Sequence, residues 1–446
     1  MLKTSGGVGY GLVTCIVNQV VHDGVIPNVC CYKGKGDALD RNNYRGETSD
    51  VMDEERCVKK CHSQTVEGIR GRGRPRKTWD EVVKHDLRTL GLTEAMTKDR
   101  YLWRYAVTAK TRQIKGGYEK ASQHFQAPDL DINLKGRSFM VTGGSSGVGK
   151  SIVEDLAKRG AVVHLLCRNT ERAETIKDQI KQTTGNEDIT IHALDLSKPA
   201  DVYKWAKNFA ESDHKLDVLI NNAGAMLNVK TVTLDGLDAG FAANTLAPHI
   251  LTTQLISKLS QSDDARVIMV SSGGMLVQKL NVTDLQNDNS PYDGTMAYAH
   301  NKRQQVIMSE QYARKYPNIY FCSMHPGWAD TPGVETAMPG FYSKMKDRLR
   351  TPQQGADTAL WLAIASAPKS FVSGQFFQDR NPTSTHLPLA KTKCTPEEEV
   401  LFMNKLDDLV TKFSKNSSGD TLPGPGTTED GEYASSSSSS TPKYSP

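Results

Sequence analysis

The chain has 446 residues, 37% hydrophobic and 24% charged, with a formal net charge of +4. That length has room for two or three domains. No apolar run reaches the roughly 18–20 residues that cross a bilayer, and "YGLVTCIVNQVV" is too short, is broken by Asn18 and lacks the basic flank and cleavage site of an export signal. With few, unevenly placed cysteines besides, the expectation is a reducing, cytoplasmic setting.

Residues 1–115 are expected to form a basic, poorly ordered extension. The first 120 residues carry 22 Lys and Arg against 15 Asp and Glu, so the rest of the chain is slightly acidic and offers no electrostatic footprint for nucleic acid. The cations concentrate in "RGRGRPRK", where Arg70, Arg72, Arg74, Arg76 and Lys77 alternate with Gly and Pro. Cys57, Cys61 and His62 hint at a metal clip, but the second ligand pair of a zinc module is missing, so no metal site is expected. The stretch from "GRGRPRKTW" through "TKDRYLWRYAV" resembles the C-terminal end of a LINE-type retrotransposon reverse transcriptase. "NVCCYKGKGDALDRNNYRGE" resembles an earlier segment of the same polyprotein. Residues 1–116 contain no Asp-Asp pair, and two-metal nucleotidyl transfer needs such carboxylates. The resemblance therefore implies a transposon-derived piece without polymerase activity. Weak nonspecific nucleic-acid binding through residues 70–77 is all it would add.

Residues 116–413 alternate apolar strands with amphipathic helices. "SFMVTG" opens the series and leads into the helix "VGKSIVEDLAKRG", stopped at Gly160. "AVVHLLCR", the helix "ERAETIKDQIKQT" and the strand "DITIHALDL" follow. Further strands are "KLDVLINNAG", "ARVIMVSS", "IYFCSMHPG" and "SGQFF". This order predicts an α/β, three-layer Rossmann fold with a parallel sheet of about seven strands and right-handed crossovers. Residues 414–446 lack apolar side chains to bury and read as a disordered tail.

In such a sheet the ligand lies at the carboxyl ends of the strands, where the unusual residues fall. Thr142 to Gly149 join the first strand to the first helix. Gly143 suits the sharp turn, Gly147 the approach of a pyrophosphate and Gly149 close helix–strand packing. Ser145, Ser146 and Val148 complete the loop, and the helix N-terminus offers N–H groups to phosphates. The second strand ends in Arg168 instead of the acid that favours NAD, so NADP(H) is preferred and NAD(H) is still accommodated. Asp195 is placed to accept from the adenine amino group. Asn222 either stabilises the central sheet or contacts the adenosine ribose, and Ala223 and Gly224 let a cofactor lie close.

Tyr298 and Lys302 share one helix face. A phenol near pKa 10 is a poor acid–base catalyst at neutral pH, and the Lys302 ammonium together with the positive charge of a nicotinamide is expected to lower it. Ser272, ending the fifth strand, can hold a substrate oxygen, and Asn244 is placed to anchor a water that contacts Lys302. In this order the residues resemble the short-chain dehydrogenase/reductase superfamily over about 137–378. Pro326, Gly327 and Thr331 match its loop beside the nicotinamide. The resemblance implies hydride transfer between NAD(P) and an alcohol or carbonyl. By analogy it implies a homodimer through the helices carrying Asn244 and Tyr298. "GGYEKASQHFQAPDLDINLKGR" and "GQFFQDRNPTSTHLP" resemble one animal subfamily, whose better-understood relatives are retinol-dehydrogenase-like, which implies a lipophilic substrate. The long Ser272–Tyr298 interval departs from shorter-loop relatives and implies an extra loop near the substrate. The competing reading is a nucleotide-binding scaffold without turnover.

Overall fold

The computed structural model describes residues 112–289, 291–387 and 390–416. The basic stretch at 70–77, Cys57, Cys61, His62 and the serine-rich tail lie outside these residues.

After α1 (Lys115–Ser122) the chain enters β1 (Ser138–Thr142), α2 (Gly147–Lys158), β2 (Val162–Cys167), α3 (Thr170–Thr184), β3 (Ile189–Ala193), α4 (Pro199–Glu211) and β4 (Val218–Asn221). A turn of helix at Ala239–Phe241 and a π-helical turn at Ala242–Leu246 lead into α5 (Ala247–Leu259). Then come β5 (Arg266–Val270), α6 (Gly294–Lys315), β6 (Tyr320–Met324), α7 (Pro332–Ala337), α8 (Pro339–Met345) and α9 (Pro352–Ile364). The hairpin β7 (Phe376–Gln378) and β8 (Asn381–Pro382) and the helix α10 (Pro396–Asn416) close the fold.

The sheet order is 3-2-1-4-5-6-7-8. The seven expected strands are all parallel; β8 adds a two-residue antiparallel edge. Both faces are covered, which is why the strands read as continuous apolar runs. Phe139 and Val141 of β1, with Ile268 and Val270 of β5, point toward α2, α3 and α9. Met140, Val267 and Met269 point the other way, toward α4, α5 and α6. The period of two thus feeds two separate cores from each strand. Local sequence sets the helix ends. Asn169 accepts from Arg172 N at 2.7 Å to start α3, and Gly185, at φ 72°, ends it. Thr351 and Gln354 form a reciprocal capping box before α9.

The expected boundaries shift by a few residues. Gln113 is buried, and its carbonyl accepts from Trp328 N at 2.6 Å, so the packed unit includes residues before 116. At the other end α10 runs to Asn416. Phe402, Leu406 and Phe413 of α10 enter the core shared with Val202, Ala206 and Phe209 of α4. Asp407 Oδ1 lies 3.0 Å from His249 Nε2 on α5, and Glu399 pairs with Arg314 of α6 at 2.9 Å. No helix among the described residues is long and apolar enough to cross a membrane.

Between β2, β3 and α4 lies a cluster of His164, His192, His214, Trp205 and Phe209. His164 Nδ1 and His192 Nε2 share one hydrogen bond at 3.1 Å. Burial, then the neighbouring rings, lowers His164 to about 3; the same causes lower His192 to about 4. Both rings stay neutral in the fold, while the unfolded chain gains protons below about pH 6.5. Stability should therefore be flat above that value and fall with further acidification, by up to about 1.4 kcal/mol per pH unit from His164, with a smaller screened contribution from His192. Urea unfolding followed between pH 7.5 and 4.5 checks this: His164→Phe should flatten the acid slope, and an unchanged slope would assign the effect elsewhere.

Candidate active site

The glycine loop is tied to the end of β4. Thr142 Oγ1 accepts from Asn222 N at 3.0 Å and from Ala223 N at 2.9 Å, and Asn222 Nδ2 donates to Thr142 O at 2.9 Å. Asn222 thus binds the sheet and loop together. Gly143 and Gly147 have φ of 66° and 53°, where a side chain is unfavourable. A Cβ on Gly149 would stand 2.3 Å from Gly143 O and 2.4 Å from Asn222 Nδ2. The helix N-terminus has no side-chain cap at Ser146, leaving its first N–H groups free for an anion. Thr331 closes on the loop from the opposite side, its methyl 2.9 Å from where a Gly147 Cβ would be.

Arg168 is exposed at the end of β2. One helical turn further, Arg172 donates to Ser145 Oγ at 3.3 Å, so a second cation overhangs the loop. Asp195 is half-buried and accepts from Ser197 N at 3.0 Å and Ser197 Oγ at 2.8 Å. These groups fit a dinucleotide: bare backbone and a free helix end for the pyrophosphate, with cations at the end of β2 for further phosphate charge.

Lys302, Ser272 and Asn244, three of the residues expected to react, lie at the carboxyl ends of β4 and β5. Asp293 caps α6 by accepting from Thr295 N and Met296 N, and Ser271 Oγ donates to Lys302 O at 2.8 Å, fixing that helix on β5. Lys302 is buried. Its Nζ donates to Val270 O at 2.8 Å and to Gln305 Oε1 at 3.1 Å, and lies 5.3 Å from the Tyr298 ring centroid. A Cβ on Gly224 would be 3.2 Å from this Nζ, so the missing side chain leaves the ammonium approachable. Ser272 Oγ accepts from Gly274 N at 3.3 Å. Asn244, fully buried in the π-helical turn, exchanges two 2.8 Å bonds with the backbone of Ala225.

In the chain alone, burial pushes the Tyr298 phenol up to about 12. The same burial pushes Lys302 down to about 7, because its acceptors are neutral amide oxygens.

Pro326 and Gly327 are clamped from outside. Arg350, paired with Asp379 at 2.7 Å, donates to Pro326 O at 3.3 Å and also to Arg112 O. A Gly327 Cβ would meet Arg350 Nε at 2.3 Å. His325 Nδ1 accepts from Gly273 N at 3.0 Å, linking this loop to the one bearing Ser272. The long segment before Tyr298 is held by α6 and α10. Arg303 donates to Met275 O and Gln278 O at 2.8 Å, Gln304 to Leu285 O at 3.0 Å and Lys405 to Val282 O at 2.8 Å.

This sheet order, with a glycine loop after β1 and a Tyr-Lys pair on the helix after β5, is that of the short-chain dehydrogenase/reductase family of oxidoreductases, to which the chain belongs. The short chain dehydrogenase family model matches residues 137–338. The chain is 54% identical over 299 residues to Dehydrogenase/reductase SDR family member 12 of Homo sapiens, covering 67% of this chain and 94% of that protein. It is 33% identical over 252 residues to Retinol dehydrogenase 11 of Homo sapiens, covering 56% of this chain and 79% of that protein. A crystal structure of an uncharacterized protein from Mycobacterium Paratuberculosis shares the fold, with a TM-score of 0.51 at 24% identity, covering 65% of this chain and 97% of that one.

Proposed function

We propose that the chain interconverts an alcohol and a carbonyl with NADP(H) in preference to NAD(H), and that its substrate is lipophilic. The observation that carries this reading is the pair of Tyr298 with the buried Lys302, set between the end of β5 and the π-helical turn, with the Lys302 amine facing Gly224. When bound, the nicotinamide supplies or accepts the hydride. In reduction, the Tyr298 hydroxyl donates its proton to the substrate oxygen, Ser272 Oγ holds that oxygen, and the Lys302 ammonium stabilises the phenolate left behind. In oxidation the proton returns along the same path. Asn244 shapes the turn behind Lys302. Gly143, Ser145, Ser146, Gly147, Val148 and Gly149 hold the pyrophosphate, Asp195 faces the adenine, and Ala223, Gly224, Pro326, Gly327 and Thr331 border the nicotinamide half.

Support for a lipophilic substrate comes from exposed apolar residues on the loops at this edge, Val229, Val232, Leu234 and Val277, and from Met296 on the first turn of α6. It also comes from the likeness to a protein named for retinol. NADP preference rests on Arg168 and Arg172. Fluorescence titration of the full chain with NADPH and NADH tests it. The Arg168→Ala, Arg172→Ala double variant should weaken NADPH binding by about tenfold or more, the value of charge-assisted phosphate contacts, and leave NADH nearly unchanged. Equal losses for both nucleotides, or tighter NADH binding by the unaltered chain, would reject the preference.

A further inference from the structure

Gln305 lies one turn beyond Lys302 on α6 and is fully buried. Its Nε2 donates to the main-chain carbonyl of Asn244 at 2.7 Å, and its Oε1 accepts from Lys302 Nζ at 3.1 Å. The two bonds fix the amide's orientation, because only the NH₂ end can face a carbonyl and only the oxygen can face an ammonium. The π-helical turn at Ala242–Leu246 interrupts the regular ladder at Asn244, and Gln305 takes up the carbonyl it presents. A side chain of α6 thus connects the turn at Asn244 directly to Lys302.

We propose that Gln305 is a positioning residue that couples the π-helical turn at Asn244 to Lys302 and holds the Lys302 amine in its working orientation. With Val270 O taking a second N–H, one N–H of the ammonium is left for a ligand beside Gly224. The link is a tethered amide, so it neither exchanges with solvent nor titrates. The charge state of Lys302 then answers directly to the chemistry of residue 305. This inference rests on the proposed role of Lys302 beside Tyr298.

The test uses the full chain labelled with [ε-13C]lysine, with the Lys302 resonance identified by its loss in Lys302→Met. Gln305→Glu, nearly isosteric, places a carboxylate against the amine and should raise the Lys302 titration midpoint by about one pH unit or more. Gln305→Met removes the acceptor of the charged form and should lower the midpoint. NADPH-dependent reduction of decanal and of all-trans-retinal, used as probes, should show the matching displacement of the kcat pH profile. Opposite displacements in the two variants support the link; a midpoint that stays put in Gln305→Glu overturns it, whatever becomes of Gln305→Met. Turnover retained in Tyr298→Phe would sink the proposed mechanism instead, and the Lys302 titration would still decide the role of Gln305.

Discussion

Replacing Tyr298 with Phe is expected to abolish turnover while leaving nucleotide binding intact. The substitution removes only the hydroxyl. The ring still packs on α6 and Lys302 keeps its bonds to Val270 O and Gln305 Oε1. In the proposed mechanism, what is lost is the group that exchanges a proton with the substrate oxygen, worth about 10²–10⁴ in rate for a positioned acid–base catalyst. Because burial holds the phenol near 12 in the chain alone, the proposed donor in reduction is fully protonated at neutral pH. The measurement pairs NADPH titration by fluorescence with NADPH oxidation in the presence of decanal or all-trans-retinal. Binding retained with turnover gone separates an enzyme from a scaffold that merely holds the nucleotide. Normal turnover in the variant would move the proton transfer to another residue.

The second large effect is expected at Gly149. Its absent Cβ points at Gly143 O and Asn222 Nδ2, 2.3 Å and 2.4 Å away, and neither can yield freely. Gly143 is held at positive φ, and Asn222 carries the bonds that tie the loop to β4. Gly149→Ala must therefore push α2 off β1 or break the Asn222 link. Overpacking of this kind costs about 1–3 kcal/mol. The displaced helix end should also weaken NADPH binding by about tenfold, since the free N–H groups no longer converge. Thermal unfolding and NADPH titration read the two effects separately. Gly340→Ala is the control: nothing lies within 4 Å of its Cβ position, so both quantities should stay where they are. An unaltered Gly149→Ala chain would mean that the loop is looser than its contacts imply.

What was legible in the sequence is what depends on spacing along the chain. The glycines after "SFMV", the run of strands along the chain and the four-residue interval from Tyr298 to Lys302 are local patterns, and the structure gathers the glycine loop and the Tyr298–Lys302 pair at one edge of the sheet. What was not legible depends on contacts between distant segments. Arg168 marks the end of β2, but it is Arg172, one turn along α3, that reaches Ser145. Gln305 gives no signal until the π-helical turn brings the Asn244 carbonyl to it. Arg350 matches no motif, yet with Arg112 and Gln113 it braces the loop at Gly327. Charge is visible in sequence, whereas the burial that raises the Tyr298 phenol in the chain alone is not. β8 escaped because two residues carry no periodicity.

The helix α10 has a consequence for how the protein is made. Its Phe402, Leu406 and Phe413 complete a core begun by Val202, Ala206 and Phe209, nearly two hundred residues earlier. During synthesis the outer face of α4 must wait, apolar and bare, until the last of these phenylalanines has cleared the ribosome tunnel. The nucleotide-holding strands can form ahead of that moment, but the half that carries Tyr298 cannot be sealed. A message cut short before the codon for Pro396 would yield a chain with every catalytic residue and no cover for this seam, a substrate for chaperones and proteases rather than an enzyme.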